Sequence, residues 1–74
     1  MILNFYDDKV KIIYKTRLNK EYLYNELLII EGVDKIKLVE KITGKYIKFL
    51  SNNEFKMMKY HNVDVCYDSF VLCK

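Results

Sequence analysis

Leu3-Asn4-Phe5-Tyr6-Asp7-Asp8-Lys9-Val10-Lys11-Ile12 reads as a β-hairpin. With Asp7-Asp8 as a two-residue turn, Phe5 faces Val10 and Leu3 faces Ile12, while Asn4 faces Lys11 and Tyr6 faces Lys9. Apolar pairs then share one side of the ribbon, as a half-buried antiparallel sheet requires. Two later stretches repeat the pattern. About His61-Asn62, Tyr60 faces Val63, Met58 faces Val65 and Lys59 faces Asp64; Thr43-Gly44 separates Lys37-Leu38-Val39 from Ile47-Lys48-Phe49.

Working outward, turn signals fall at Asp7-Asp8, Arg17 to Lys20, Glu31-Gly32-Val33, Thr43-Gly44, Ser51-Asn52-Asn53 and His61-Asn62. They recur about every 10–13 residues, close to the spacing of small sandwiches and barrels. Strands are predicted over 2–6, 9–16, 22–30, 34–42, 45–50, 55–60 and 63–72. Ile, Val, Thr, Tyr and Phe supply 27 of 74 residues and Ala is absent, which also favours strands. The expected fold is a single all-β domain over 1–74, an antiparallel meander or barrel of five to seven strands.

Three points carry competing readings. Asn19 to Gly32 has helix punctuation, with Asn19 as N-cap and Gly32 past the end, so an α+β fold with a helix over 19–31 is the alternative. The lack of a polar face there favours a buried strand. Ser51-Asn52-Asn53-Glu54 is a capping-box pattern. A helix there would cancel the His61-Asn62 hairpin, and the hairpin is preferred. At Thr43-Gly44, burial favours Leu38 opposite Phe49, whereas Gly44 in a left-handed bulge would turn Leu38 towards Lys48.

The net charge of +3 comes from thirteen basic and ten acidic residues spread along the chain. That disfavours an acidic DNA mimic, and duplex readers usually carry a denser, Arg-rich stripe. The amino terminus lacks the basic region and apolar core of a signal peptide, and no apolar run reaches the roughly 18 residues of a membrane span. Cys66 and Cys73 are seven apart, on opposite faces of one continuous strand, and are expected as reduced thiols in a cytoplasmic protein. Lys-rich, Ala-free composition resembles that of small proteins of low-GC bacteria and their phages or plasmids.

Chemistry is sparse. His61 is the only histidine, and Cys66 and Cys73 have no paired metal-ligand spacing, so no metal site is expected. Asp64 and Asp68, four residues apart in a strand, would stand roughly 13 Å apart, too far for an acid–base pair. Gly32 and Gly44 are isolated and form no phosphate-cradling loop. The expectation is a non-enzyme without cofactor.

Surface is what is left. The predicted outward faces hold Tyr6, Lys9, Lys11 and Lys15 on one hairpin and Lys37, Lys41, Tyr46 and Lys48 on another. Aromatics among lysines suit single-stranded nucleic acid, whereas a solvated, edge-guarding face is the ordinary role of such lysines. Ile13, Val39, Leu50, Phe55 and Met57 also fall on outer positions, and apolar outer positions favour a protein partner or a homo-oligomer. The leading expectation is a cytoplasmic binding protein, an inhibitor of host or defence machinery carried by a phage or mobile element, as anti-CRISPR proteins are. A single-stranded nucleic-acid module and a self-associating structural subunit are the alternatives; no membrane partner is expected.

Overall fold

The structure is a computed structural model that describes residues 1–67. Strands β1 (Ile2–Phe5), β2 (Lys9–Ile13) and β3 (Lys20–Leu23) form one antiparallel sheet in the order β1-β2-β3. A second sheet, ordered β6-β5-β4-β7, joins β4 (Leu27–Glu31), β5 (Ile36–Glu40), β6 (Tyr46–Phe49) and β7 (Asp64–Tyr67). Helix α1 (Asn52–Tyr60) connects β6 to β7. The fold is thus mostly strand, with one short α-helix among the described residues.

The Asp7-Asp8 hairpin forms in the expected register, Phe5 opposite Val10 and Leu3 opposite Ile12. Tyr6 N–H donates to the Lys9 carbonyl at 2.8 Å and closes it. The strand expected over 9–16 ends at Ile13, and Lys15 lies in the following loop. Asn19 caps no helix; its Oδ1 accepts from Tyr14 N–H at 3.3 Å across that loop.

Residues 19–31 hold no α-helix, so that alternative is corrected. The chain runs along β3, turns through one 3-10 turn (Tyr24–Glu26) and enters β4. Glu26 fixes this corner by accepting from Leu23 N–H at 2.8 Å. The Tyr24 hydroxyl donates to the Tyr6 carbonyl, tying the corner to the first hairpin. One apolar stretch therefore serves both sheets, which explains its lack of a polar face: Tyr22 packs on the core from β3, and Leu27 and Ile29 lie within it from β4.

The largest correction falls on 51–62. The predicted strand 55–60 is α1, and the His61-Asn62 hairpin does not exist. Ser51 Oγ accepts from Glu54 N–H at 3.2 Å while the Glu54 carboxylate accepts from Ser51 N–H at 2.9 Å. This reciprocal cap satisfies two otherwise unpaired donors. At the other end Asn62 takes φ 63°, with its N–H donating to the Lys59 carbonyl and Val63 N–H to the Met58 carbonyl, each at 3.0 Å. That is a Schellman ending, and its customary apolar pair is Met58 with Val63, both in the core. Lys59 accordingly does not face Asp64, nor Met58 face Val65 across a hairpin. Asp64 pairs with Lys41, and β7 runs parallel to β4 with Cys66 beside Ile30. The rest of the predicted strand 63–72, Asp68 included, lies outside the described residues, as does Cys73. Cys66 is disulfide-bonded, which corrects the expected reduced thiol.

The core lies between the two sheets and α1. Val10 and Ile12 come from the first sheet, Leu27, Ile29 and Leu38 from the second and Met58 from the helix, all fully buried. Leu50 and Phe55, expected on the outside, pack here too. None of the described helices is long and apolar enough to cross a membrane.

Candidate functional site

The β5–β6 hairpin decides which side chains reach the surface. Its loop runs from Lys41 to Lys45, with Gly44 at φ 71° and its N–H donating to the Glu40 carbonyl at 2.8 Å. Only glycine enters that backbone region at no steric cost. The resulting register places Leu38 opposite Lys48 and Lys37 opposite Phe49, with an irregularity beyond which Val39 faces Tyr46. The expected pairing of Leu38 with Phe49 is corrected. Ile47 is the extra residue of this bulge and turns into the core.

The bulge has a direct consequence for the outer face. Tyr46 and Phe49 are three residues apart, which in a regular strand would send them to opposite sides. Opposite Val39 and Lys37, they share one face, their ring centroids 5.2 Å apart. Successive register pairs give two rows across that face: Tyr46, Val39, Leu28, Asp64, and then Phe49, Lys37, Ile30, Cys66. Val39 is only 3% exposed, whereas Tyr46 and Phe49 are 50% and 47% exposed.

Beside Phe49 the face opens into a pocket of about 300 Å³ lined by Ile30, Gly32, Val33, Asp34, Lys35 and Lys37 as well as the ring itself. Lys35 Nζ stands 4.8 Å from the Phe49 ring centre, a cation over an aromatic face. Among the described residues neither Lys35 nor Lys37 makes an ion pair. The lining thus combines the apolar Ile30, Val33 and Phe49 with two cations, Lys35 and Lys37, and one acid, Asp34.

The ten residues expected at a binding surface are scattered. Tyr6, Lys9 and Lys11 belong to the first sheet and its turn, where Lys9 pairs with Glu21 at 3.1 Å and lies 5.8 Å from the Tyr6 ring. The hydrogen bond and charge of Glu21 hold the Lys9 ammonium above its ordinary pKa. Lys15 is on the β2–β3 loop. Lys41 pairs with Asp64. Lys48 shares its row with buried Leu38 and is held by Glu54 at 2.9 Å, so it is no outward cation. Phe55 packs against the core, and Met57 is partly exposed on α1. Only Lys37 and Tyr46 come together on the face described above.

Phe49 and Lys35 were missed because the preferred register counted Phe49 as core. The signal that could have found them was Gly44, whose left-handed preference favours the slipped register. Among the described residues no three His, Cys, Asp or Glu side chains gather as metal ligands would. Comparison of the chain with protein-family models, with curated proteins and with solved structures finds no match.

Proposed function

We propose that this chain is a non-enzymatic binding protein acting by protein–protein contact, through the β5–β6 side of the outer face of its four-stranded sheet. One observation carries the reading: Tyr46 and Phe49 stand together, half exposed, on one face of the sheet. Aromatics on an apolar patch rimmed by polar groups are the usual make-up of an interface. Composition of the kind found in low-GC bacteria and their phages makes an inhibitor of host or defence machinery the class to test first. The nucleic-acid reading is weaker, since Lys9, Lys41 and Lys48 are each engaged by a carboxylate. Phosphate binding would have to displace those partners.

Pull-down from a low-GC bacterial lysate tests the proposal, with wild type and a Tyr46→Ala/Phe49→Ala double variant as parallel baits. The expected result is a protein retained by wild type and lost from the double variant, both baits giving the same circular dichroism. Equal recovery by both baits, or recovery by neither, overturns it. The proposal sets this contact in the cytoplasm. Disulfides persist mainly in oxidising compartments, so a cytoplasmic role requires the fold to survive reduction at Cys66. Thermal melts with and without dithiothreitol should both be cooperative; loss of the transition on reduction would remove the cytoplasmic assignment.

A further inference from the structure

The outer face ends at β6, and that edge has an unused ladder. Leu50 N–H donates to the Ile36 carbonyl at 2.7 Å and Glu40 N–H to the Lys45 carbonyl at 2.9 Å. Residue pairs 50/36 and 45/40 are therefore the hydrogen-bonded ones. Alternation in an antiparallel ladder leaves Phe49 with Lys37, and Tyr46 with Val39, as the pairs between. The backbone N–H and C=O of Tyr46 and Phe49 consequently point away from β5. Since β6 is the outermost strand of its sheet, no described strand meets them. The two residues that offer side chains to the outer face thus also offer backbone to the open edge.

Charge selects the occupant. Lys35 and Lys37 line the pocket beside Phe49 with one acid, Asp34, while Lys45, which precedes β6, stands opposite Glu40. A second copy docked edge to edge would bring two such lysine groups together, and like charges across an interface cost affinity. An acidic strand meets no such penalty. Resting on the binding role proposed above, we propose that the β6 edge takes an extended acidic peptide segment as an added strand. One apolar side chain of that segment packs on the half-exposed Phe49 ring, and its carboxylates meet Lys35, whose ammonium stands over that ring. Main-chain bonds supply affinity in such additions and the side-chain contacts supply selectivity.

Panning a random dodecapeptide phage library on the full chain tests this. Enriched sequences should place an apolar or aromatic residue among Asp and Glu. A synthetic copy of the best sequence should bind at least about tenfold more weakly to a Lys35→Glu/Lys37→Glu variant. N-methylation of alternate peptide amides should produce a similar loss on the wild-type protein, a readout that no folding defect can mimic. Amide shifts on binding should centre on Tyr46 and Phe49. No enrichment, enrichment without acidic bias, or indifference to N-methylation overturns the proposal. So does a concentration-dependent dimer in light scattering that is disrupted by Phe49→Ala, which would give the edge to a second copy. If panning fails while the pull-down partner is still lost from the aromatic double variant, the binding face stands and the strand-addition site falls.

Discussion

The four-stranded sheet has two apolar faces with opposite fates. On the inner one, Leu27, Ile29 and Leu38 are sealed by the first sheet and α1. The outer one carries Leu28, Ile30 and Val39 in the same strands, yet its aromatics Tyr46 and Phe49 are half open. Hydrophobicity therefore does not distinguish them. The difference is one of degree. A helix and the other sheet bury the inner row completely. On the outer side Val39 is buried, Leu28 and Ile30 are half-buried, and the aromatics of β6 are the most open. Apolar area that no core needs is available for a partner.

Truncation should separate the faces most sharply. Leu38→Ala leaves a cavity in close-packed surroundings and is expected to cost about 2–5 kcal/mol. Phe49→Ala removes a larger side chain but one that water already reaches, and should cost less than about 1 kcal/mol. Urea midpoints of the two variants decide the matter. Equal losses would mean that the outer face is core, and the binding role would lose its support.

The hairpin register that creates the two faces can be probed at Gly44. Its φ of 71° strains any side chain, while a Cβ there would meet no atom within 4 Å. The whole cost of Gly44→Ala is thus backbone cost, about 1–2 kcal/mol. A loss of that size, with Phe49 still exposed, would confirm that the loop merely tolerates strain. If Phe49 instead became protected, the register itself would have slipped, and the inner and outer rows of β6 would have exchanged.

How far the sequence disclosed this arrangement depends on the range of the interaction concerned. The Asp7-Asp8 hairpin was legible because strand alternation and turn lie within ten residues. Residues 55–63 were not, because Phe55, Met58 and Val63 fit a strand about His61-Asn62 as well as a helical face. Asn62 misled for a physical reason: tolerance of positive φ serves a hairpin turn and a helix ending equally. The Ser51–Glu54 box was the truthful signal. The parallel pairing of β7 with β4 had no local trace, since it depends on the chain crossing the sheet through α1. Within the candidate site, Tyr46 and Lys37 were legible as outward residues, whereas Phe49 was hidden by the bulge.

The inner side of the sheet depends on α1 staying folded, so weakening the helix start should hurt it selectively. Ser51→Ala removes the acceptor for Glu54 N–H and is expected to cost about 1 kcal/mol. Hydrogen exchange should then rise along α1 and at Leu38 while the amides of the β1–β2 hairpin keep their protection. Uniform loss across both sheets would show instead that the two unfold as one unit, and that the helix does not govern the inner face separately.

The finest contrast is between the lysines of the two faces. Lys48, in the inner row, is bound by Glu54; Lys37, in the outer row, has no acidic partner among the described residues. Burial pushes the Glu54 carboxyl up, but the Ser51 backbone N–H and the Lys48 ammonium outweigh it and hold the group below its ordinary value of 4.5. The folded chain therefore binds this proton more weakly than the unfolded chain does. Its contribution to stability is complete above the ordinary value and fades as pH falls through the lowered one. Both side chains remain partly solvated, so the effect should not exceed about 1 kcal/mol. Melting temperatures taken from pH 6 down to about pH 3 should fall less steeply for Glu54→Gln and Lys48→Met than for wild type. Lys37→Met should track wild type throughout. A flattened profile for Lys37→Met would mean that an acid of the fold already engages the outer lysine, leaving less of its charge for an acidic partner to meet.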